Sequence, residues 1–204
     1  MNTFRGHPII SDQISTDGLG VVWRELERVL TAKVPGDIAE FGCYSGTTSL
    51  FIRRLLNETN QSAQRTFHVY DSFEGLPPKQ TPDQSTVGAP FQAGELAVSK
   101  KQFLQNFQRA NLQLPMIHKG WFNELHAKDV PEQIAFAFLD GDFYESILSS
   151  LRLVWPRLSP NATVLIDDYQ RDALPGVAQA VHDFFQGRPP QSLRREHNIA
   201  IIRT

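Results

Sequence analysis

The sequence predicts one doubly wound α/β domain with a mostly parallel sheet and a single antiparallel strand near its C-terminal end. Three observations carry that expectation. Apolar runs such as Ile134–Leu139 lack the polar alternation of a half-exposed strand and suit a strand covered on both faces. Segments with a helical apolar period alternate with these runs along the chain. The last two strand-like runs, Ser192–Glu196 and Ile199–Ile202, meet at His197-Asn198 like a hairpin. At 204 residues, 41% of them apolar, the chain suits one large core and is short for two domains, so residues 1–204 are taken as a single unit.

Composition narrows the partners. A formal charge of −2 gives no general attraction to nucleic acid or an anionic membrane. No apolar stretch approaches the ~20 residues of a membrane span, and the N-terminus lacks the basic and apolar regions of a signal peptide. Cys43 is the only cysteine, so no internal disulfide can form. These features point to a soluble cytoplasmic α/β domain.

Taken in order, residues 1–36 form an N-terminal arm and helix. Residues 1–16 have no period and read as an irregular, substrate-side arm. Leu19, Val22, Trp23, Leu26, Val29 and Leu30 then share a helical face, with Arg24, Glu25, Glu27 and Arg28 mostly opposite and Thr16 or Asp17 as the cap. Pro35-Gly36 ends this helix. The first strand, Asp37–Gly42, enters a Gly-rich turn and a helix over residues 48–56. The second, Thr66–Tyr70, ends at Asp71. Residues 77–98, poor in apolar period and rich in Pro, Gly, Gln, Ser and Thr up to Gly94, read as a lid loop. A helix capped by Ser99 brings in Phe103, Leu104 and Phe107. The third strand, near Met116–Lys119, ends at Gly120-Trp121-Phe122. After Ile134–Leu139 comes a helix with Tyr144, Ile147, Leu148, Leu151, Val154 and Trp155 on one face, stopped near Pro156. Ser159-Pro-Asn161 reads as a turn into the strand Thr163–Ile166. A last helix starts at Pro175 with Val177, Val181, Phe184 and Phe185 inward.

The chemistry gathers at strand ends. Asp140 and Asp142 close one buried strand, and Asp167 and Asp168 close the next. If the strands are neighbours, four carboxylates face one crevice at the edge where such sheets hold ligands. They repel one another unless a cation or a shared proton relieves them. With neither cysteine nor a histidine pair nearby, the donor set favours Mg²⁺, with Mn²⁺ or Ca²⁺ also suited, over Zn²⁺. Asp142 is the candidate general base for a bound hydroxyl. For any one of these acids, helix capping is the plain alternative. The turn Gly42-Cys-Tyr44-Ser45-Gly-Thr-Thr48 lets backbone approach a ligand. It is neither a dinucleotide fingerprint, since Tyr44 stands where glycine is required, nor a P-loop. It can equally be a tight strand–helix connection. Asp71 can accept from the ribose hydroxyls of an adenosine-containing ligand or cap the turn that follows. His68, His118 and His182 read as ordinary strand and helix residues, and Cys43 as a small apolar one.

Several segments together resemble the macrocin (TylF-type) O-methyltransferases. They are Asp37-Ile-Ala-Glu-Phe-Gly-Cys-Tyr-Ser-Gly-Thr-Thr-Ser, Tyr70-Asp-Ser-Phe-Glu-Gly-Leu-Pro, Phe138-Leu-Asp-Gly-Asp-Phe-Tyr-Glu-Ser and Ile166-Asp-Asp-Tyr. Phe91-Gln-Ala-Gly, Gly120-Trp-Phe and Leu153-Val-Trp-Pro-Arg-Leu-Ser-Pro add to the match, which covers residues 37–185. The resemblance implies a Rossmann-like methyltransferase sheet that uses S-adenosylmethionine and Mg²⁺ to methylate sugar hydroxyls. It implies that Glu40, Gly42, Tyr44, Ser45 and Thr48 line the methionine side of the cofactor. Asp71 would bind the ribose, with Ser72, Gly120, Trp121 and Phe122 near the adenine. Asp140, Asp167 and Asp168 would hold the metal and Asp142 would be the base. Catechol methyltransferases have a lysine just after the first aspartate; here Gly-Asp-Phe-Tyr follows Asp140, which suits an aspartate base. A homodimer is a further implication. The N-terminus is shorter than in the family, so the acceptor need not be an antibiotic sugar.

Two rivals stand beside this reading. Asp140-Gly-Asp142 and Asp167-Asp168 resemble the acidic motifs of haloacid-dehalogenase-like phosphatases, but those place the first motif on the first strand. A non-catalytic S-adenosylmethionine-binding module is the other. A short-chain dehydrogenase is excluded because no tyrosine has lysine four residues on.

Overall fold

The computed structural model describes residues 6–87, 91–188 and 190–204. Residues 1–5 of the expected arm and 88–90 of the expected lid lie outside the described residues. The elements are α1 (Thr16–Thr31), β1 (Asp37–Phe41), α2 (Thr47–Glu58), β2 (Phe67–Asp71), α3 (Lys100–Arg109) and β3 (Met116–Lys119). They continue with β4 (Ile134–Leu139), α4 (Tyr144–Val154), β5 (Leu158–Ile166), α5 (Pro175–Phe184), β6 (Arg194–Glu196) and β7 (Ile199–Arg203). The seven strands lie in the order β3-β2-β1-β4-β5-β7-β6. β1 to β5 are mutually parallel, and β7 alone runs against them, between β5 and β6.

Strand alternation divides the core into two layers. Ile38, Phe136, Phe138 and Leu165 face one layer with α1, α2 and α3, which supplies Phe103 and Phe107. Phe41, Ala137, Leu139, Val164 and Ile166 face the other with α4 and α5. All six residues of β4 are buried, because helices cover the sheet on both sides at its centre. No helix among the described residues is long and apolar enough to cross a membrane.

Three local expectations are corrected. The cap of α1 is Ser15, not Thr16 or Asp17: its extended backbone aims Oγ at the Gly18 N–H, 3.0 Å away. Asp17 still favours the first turn by its charge. Ser159-Pro-Asn161 is not a turn but an irregular part of β5. Its pairing jumps from Ile134↔Leu158 to Phe136↔Thr163, and Asn161 takes φ 66° there. Glu25, expected on the exposed face of α1, is fully buried. The C-terminal hairpin lies alongside α1, so Arg194 and Arg203 reach the Glu25 carboxylate at 3.1 and 2.9 Å, and Arg24 joins at 3.1 Å.

This clasp ties the two ends of the fold together. Burial pushes the Glu25 carboxyl up, but Arg203 and Arg24 outweigh it and hold it below its ordinary 4.5. Its contribution is therefore present above that value and lost as pH falls through the lowered pKa. Arg194 and Arg203 retain 48% and 37% of their side-chain exposure, so solvent screens the pair. Glu25→Gln should lower unfolding free energy by about 1–2 kcal/mol near neutral pH. Urea unfolding checks this, and an unchanged midpoint would leave the hairpin held by packing alone.

Candidate active site

β1 is the point from which the strand order runs outward both ways, to β2 and β3 on one side and β4 and β5 on the other. Open α/β sheets bind ligands at such a switch point, beyond the carboxyl ends of the strands. Here β1 and β4 leave the sheet pressed together. The Asp140 N–H donates to the Phe41 carbonyl at 2.7 Å, and a Cβ on Gly42 would lie 1.9 Å from the Asp140 carbonyl oxygen. With φ at 88° as well, only glycine fits at position 42.

A cleft opens over this point. Gly42, Tyr44, Asp71 and Ser72 line it together with Asp140, Asp142 and Asp168. Trp121 and Phe122 also line it, and Phe122 packs edge-on against Phe41, ring centroids 5.4 Å apart. A smaller hollow beyond Tyr44 is lined by Ser45, Thr47 and Thr48. Gly120 does not line the cleft; its N–H donates to the Asp71 carbonyl at 3.0 Å. Glu40 lies beneath the turn, fully buried, and accepts from the Ser49 hydroxyl. Burial pushes its carboxyl up to about 8, against the effect of the Ser49 bond. Glu40 Oε1, Ser45 Oγ and Thr47 Oγ1 are buried without a hydrogen-bond partner, an unusual concentration of polar atoms around one turn.

Asp71 stands at the carboxyl end of β2. It lines the cleft, and it also braces two turns. One carboxylate oxygen accepts from Cys43 N at 2.8 Å and Tyr44 N at 3.2 Å, the other from Phe73 N at 2.7 Å.

The acids converge as the neighbouring of β4 and β5 requires. One carboxylate oxygen each from Asp140, Asp142 and Asp168 lie within 4.8 Å of one another. Asp167 stands outside that trio and does not line the cleft, yet of the nearby charges it acts most strongly on Asp140. Burial and then Asp167 push Asp140 well above the carboxylate range. Burial and then Asp168, its hydrogen-bond partner, do the same to Asp142. Burial and then Asp168 push Asp167 up to about 7. Left to themselves these groups hold protons that exposed aspartates would release.

The structure adds residues that the sequence reading missed. Arg171 lines the cleft and pairs with Asp168 at 2.8 Å. Gln13, from the N-terminal arm, lines both the cleft and the smaller hollow. Asp83, in the middle of the expected lid, is buried and accepts from Gln80 N at 2.9 Å and Tyr144 N at 2.7 Å, so it caps α4. No periodicity marks a lone loop residue whose partner is 61 positions away. The Arg171–Asp168 spacing of three did carry a signal, because such pairs meet within one turn.

The family model of the macrocin O-methyltransferases (TylF) matches residues 7–193. The chain belongs to this family. It is 38% identical over 165 residues to the 8-demethyl-8-(2,3-dimethoxy-alpha-L-rhamnosyl)-tetracenomycin-C 4'-O-methyltransferase of Streptomyces olivaceus, a match covering 78% of this chain and 61% of that protein. It is 32% identical to the mycinamicin III 3''-O-methyltransferase of Micromonospora griseorubida over 78% of this chain and 64% of that one. The chain thus spans less than two thirds of either relative. The O-methyltransferase NovP superposes with a TM-score of 0.78 at 25% identity, over 93% of this chain and 80% of its own. The calicheamicin methyltransferase CalS11 shares the fold, with a TM-score of 0.71 at 22% identity over 91% of this chain and 76% of its own. The expected sheet and family are both borne out.

The raised acids fix a sign. Between about pH 4 and pH 7 the native state binds more protons at Asp140, Asp142 and Asp167 than the unfolded chain does, so these groups make stability fall as pH rises. In a chelating buffer the thermal midpoint of Asp167→Asn should decline less than wild type across that window. Parallel declines would show that Asp167 is not held protonated.

Proposed function

We propose that this protein transfers the methyl group of S-adenosylmethionine to a hydroxyl of a small acceptor, with Mg²⁺ at the acidic cluster. The acceptor class we favour is a sugar or other vicinal diol of a natural product. The observation that carries this reading is that two sets of groups line one cleft at the switch point. The Gly-rich turn with Asp71 forms one, and the convergent aspartates form the other.

The residues present fit both groups. Three hard carboxylate oxygens within 4.8 Å suit a cation of magnesium's chemistry, and their raised proton affinities register the charge it would relieve. The unpartnered Ser45, Thr47 and Glu40 atoms suit the polar methionine end of the cofactor. A carboxylate has about four acceptor sites. Asp71 spends three on backbone N–H groups, which leaves capacity for a ribose hydroxyl. Trp121 and Phe122 offer flat apolar surface to an adenine ring.

The sulfonium supplies an activated methyl group, and the cation, when bound, makes a neighbouring hydroxyl more acidic. The chain's own work is placement and proton removal. Asp140, Asp167 and Asp168 would hold the cation, the cleft walls would orient the acceptor hydroxyl toward the methyl group, and Asp142 would accept the hydroxyl proton. A second assignment is favoured by one distance set: Asp142, not Asp167, shares the 4.8 Å cluster with Asp140 and Asp168, which makes it a possible ligand. The phosphatase reading is disfavoured because Asp140 and Asp142 follow the fourth strand of the sheet sequence, not the first. We extend the family analogy to a homodimer in the cytoplasm; light scattering of the purified protein tests the former.

Asp142→Asn should bind S-adenosylmethionine and Mn²⁺ like wild type and lose methyl transfer by about a hundredfold or more. Loss of Mn²⁺ binding instead would make Asp142 a ligand, and retained transfer would remove it from the reaction. Asp71→Ala should weaken S-adenosylmethionine binding by about tenfold or more in calorimetric titration. An unaltered dissociation constant would take Asp71 off the ribose.

A further inference from the structure

Among the described residues lining the cleft, Arg171 is the only cation. Its Nη1 lies 2.8 Å from Asp168 Oδ1, in the same cluster in which Asp140 and Asp142 converge. The turn is short: Arg171 N also donates to the Asp168 carbonyl at 3.2 Å. The Arg171 side chain is 42% exposed while that of Asp168 is 12% exposed, so the guanidinium reaches the acid from the solvent side. Its other flank lies over the Phe91 ring, 5.9 Å from the centroid.

We infer that Arg171 is a built-in counter-ion of the acidic cluster, which occupies Asp168 while no divalent cation is bound and is displaced from it when one binds. The inference rests on the metal reading above. A guanidinium and a dication both seek the Asp168 oxygens, and each reduces the negative charge that attracts the other. The ion pair therefore competes with metal binding. Two features make displacement feasible. Arg171 is partly solvated, so its charge need not be buried elsewhere, and the Phe91 face can retain it by a cation–π contact.

The test is Mn²⁺ titration of the whole protein, followed by the paramagnetic signal of the free ion, for wild type, Arg171→Gln and Arg171→Lys. Arg171→Gln should bind Mn²⁺ about fivefold more tightly than wild type, and Arg171→Lys, which keeps the charge, should stay within about twofold. In chelator at neutral pH, Arg171→Gln should melt below wild type, and saturating Mn²⁺ should close the gap. If wild type binds Mn²⁺ and Arg171→Gln binds no more tightly, the counter-ion role is overturned and the metal reading stands. If neither wild type nor the variants bind Mn²⁺, the metal reading itself fails and takes the displacement with it.

Discussion

Charge crowding where β4 and β5 end is the constraint around which the rest of the molecule is arranged. Four aspartates follow two adjacent, fully buried strand segments, and low polarity beneath them magnifies their repulsion. A sheet less completely covered would dilute that repulsion with water. Burial of β4 on both faces is thus what gives the cluster its chemistry as well as its position. The Gly42 contact has the same origin. Strands that pack this closely leave no room for a side chain where they part, and the space above them becomes the cleft.

Most of the architecture was legible because buried strands and amphipathic helices write their environment into local sequence. The run Ile134–Leu139 and the period from Tyr144 to Trp155 needed no distant information. What stayed illegible depends on partners remote in sequence. Glu25 looks like a solvated helix residue until β6 and β7 bring Arg194 and Arg203 to it. Ser159-Pro-Asn161 has the composition of a turn, and strand pairing on either side absorbs it into β5. Ser15 and Thr16 are both good caps, and only the backbone angles choose between them.

The site divides in the same way. Aspartates at strand ends could be read directly, as could the Gly-rich turn. Which oxygens converge could not. Asp142 and Asp168 both take left-handed backbone angles, φ 59° and 52°, which redirect their side chains in a manner no spacing rule foresees. Asp142 joins Asp140 and Asp168 in the trio while Asp167 stands apart.

The segment between Leu76 and Glu95 is knotted off at its base: Leu76 N donates to the Glu95 carbonyl and Gly94 N to the Leu76 carbonyl, both at 2.9 Å. Further in, Asp83 is pinned against the first turn of α5 so tightly that a Cβ on Gly176 would overlap it. A loop tied at its neck and fastened inside, at Asp83 and by the Ser85 hydroxyl donating to the Asp172 carbonyl at 2.6 Å, is divided into shorter arcs. The closure entropy is carried by the knots, and lengthening or shortening one arc changes it only logarithmically. A change of length in this segment therefore costs the sheet, the turn and the acids little.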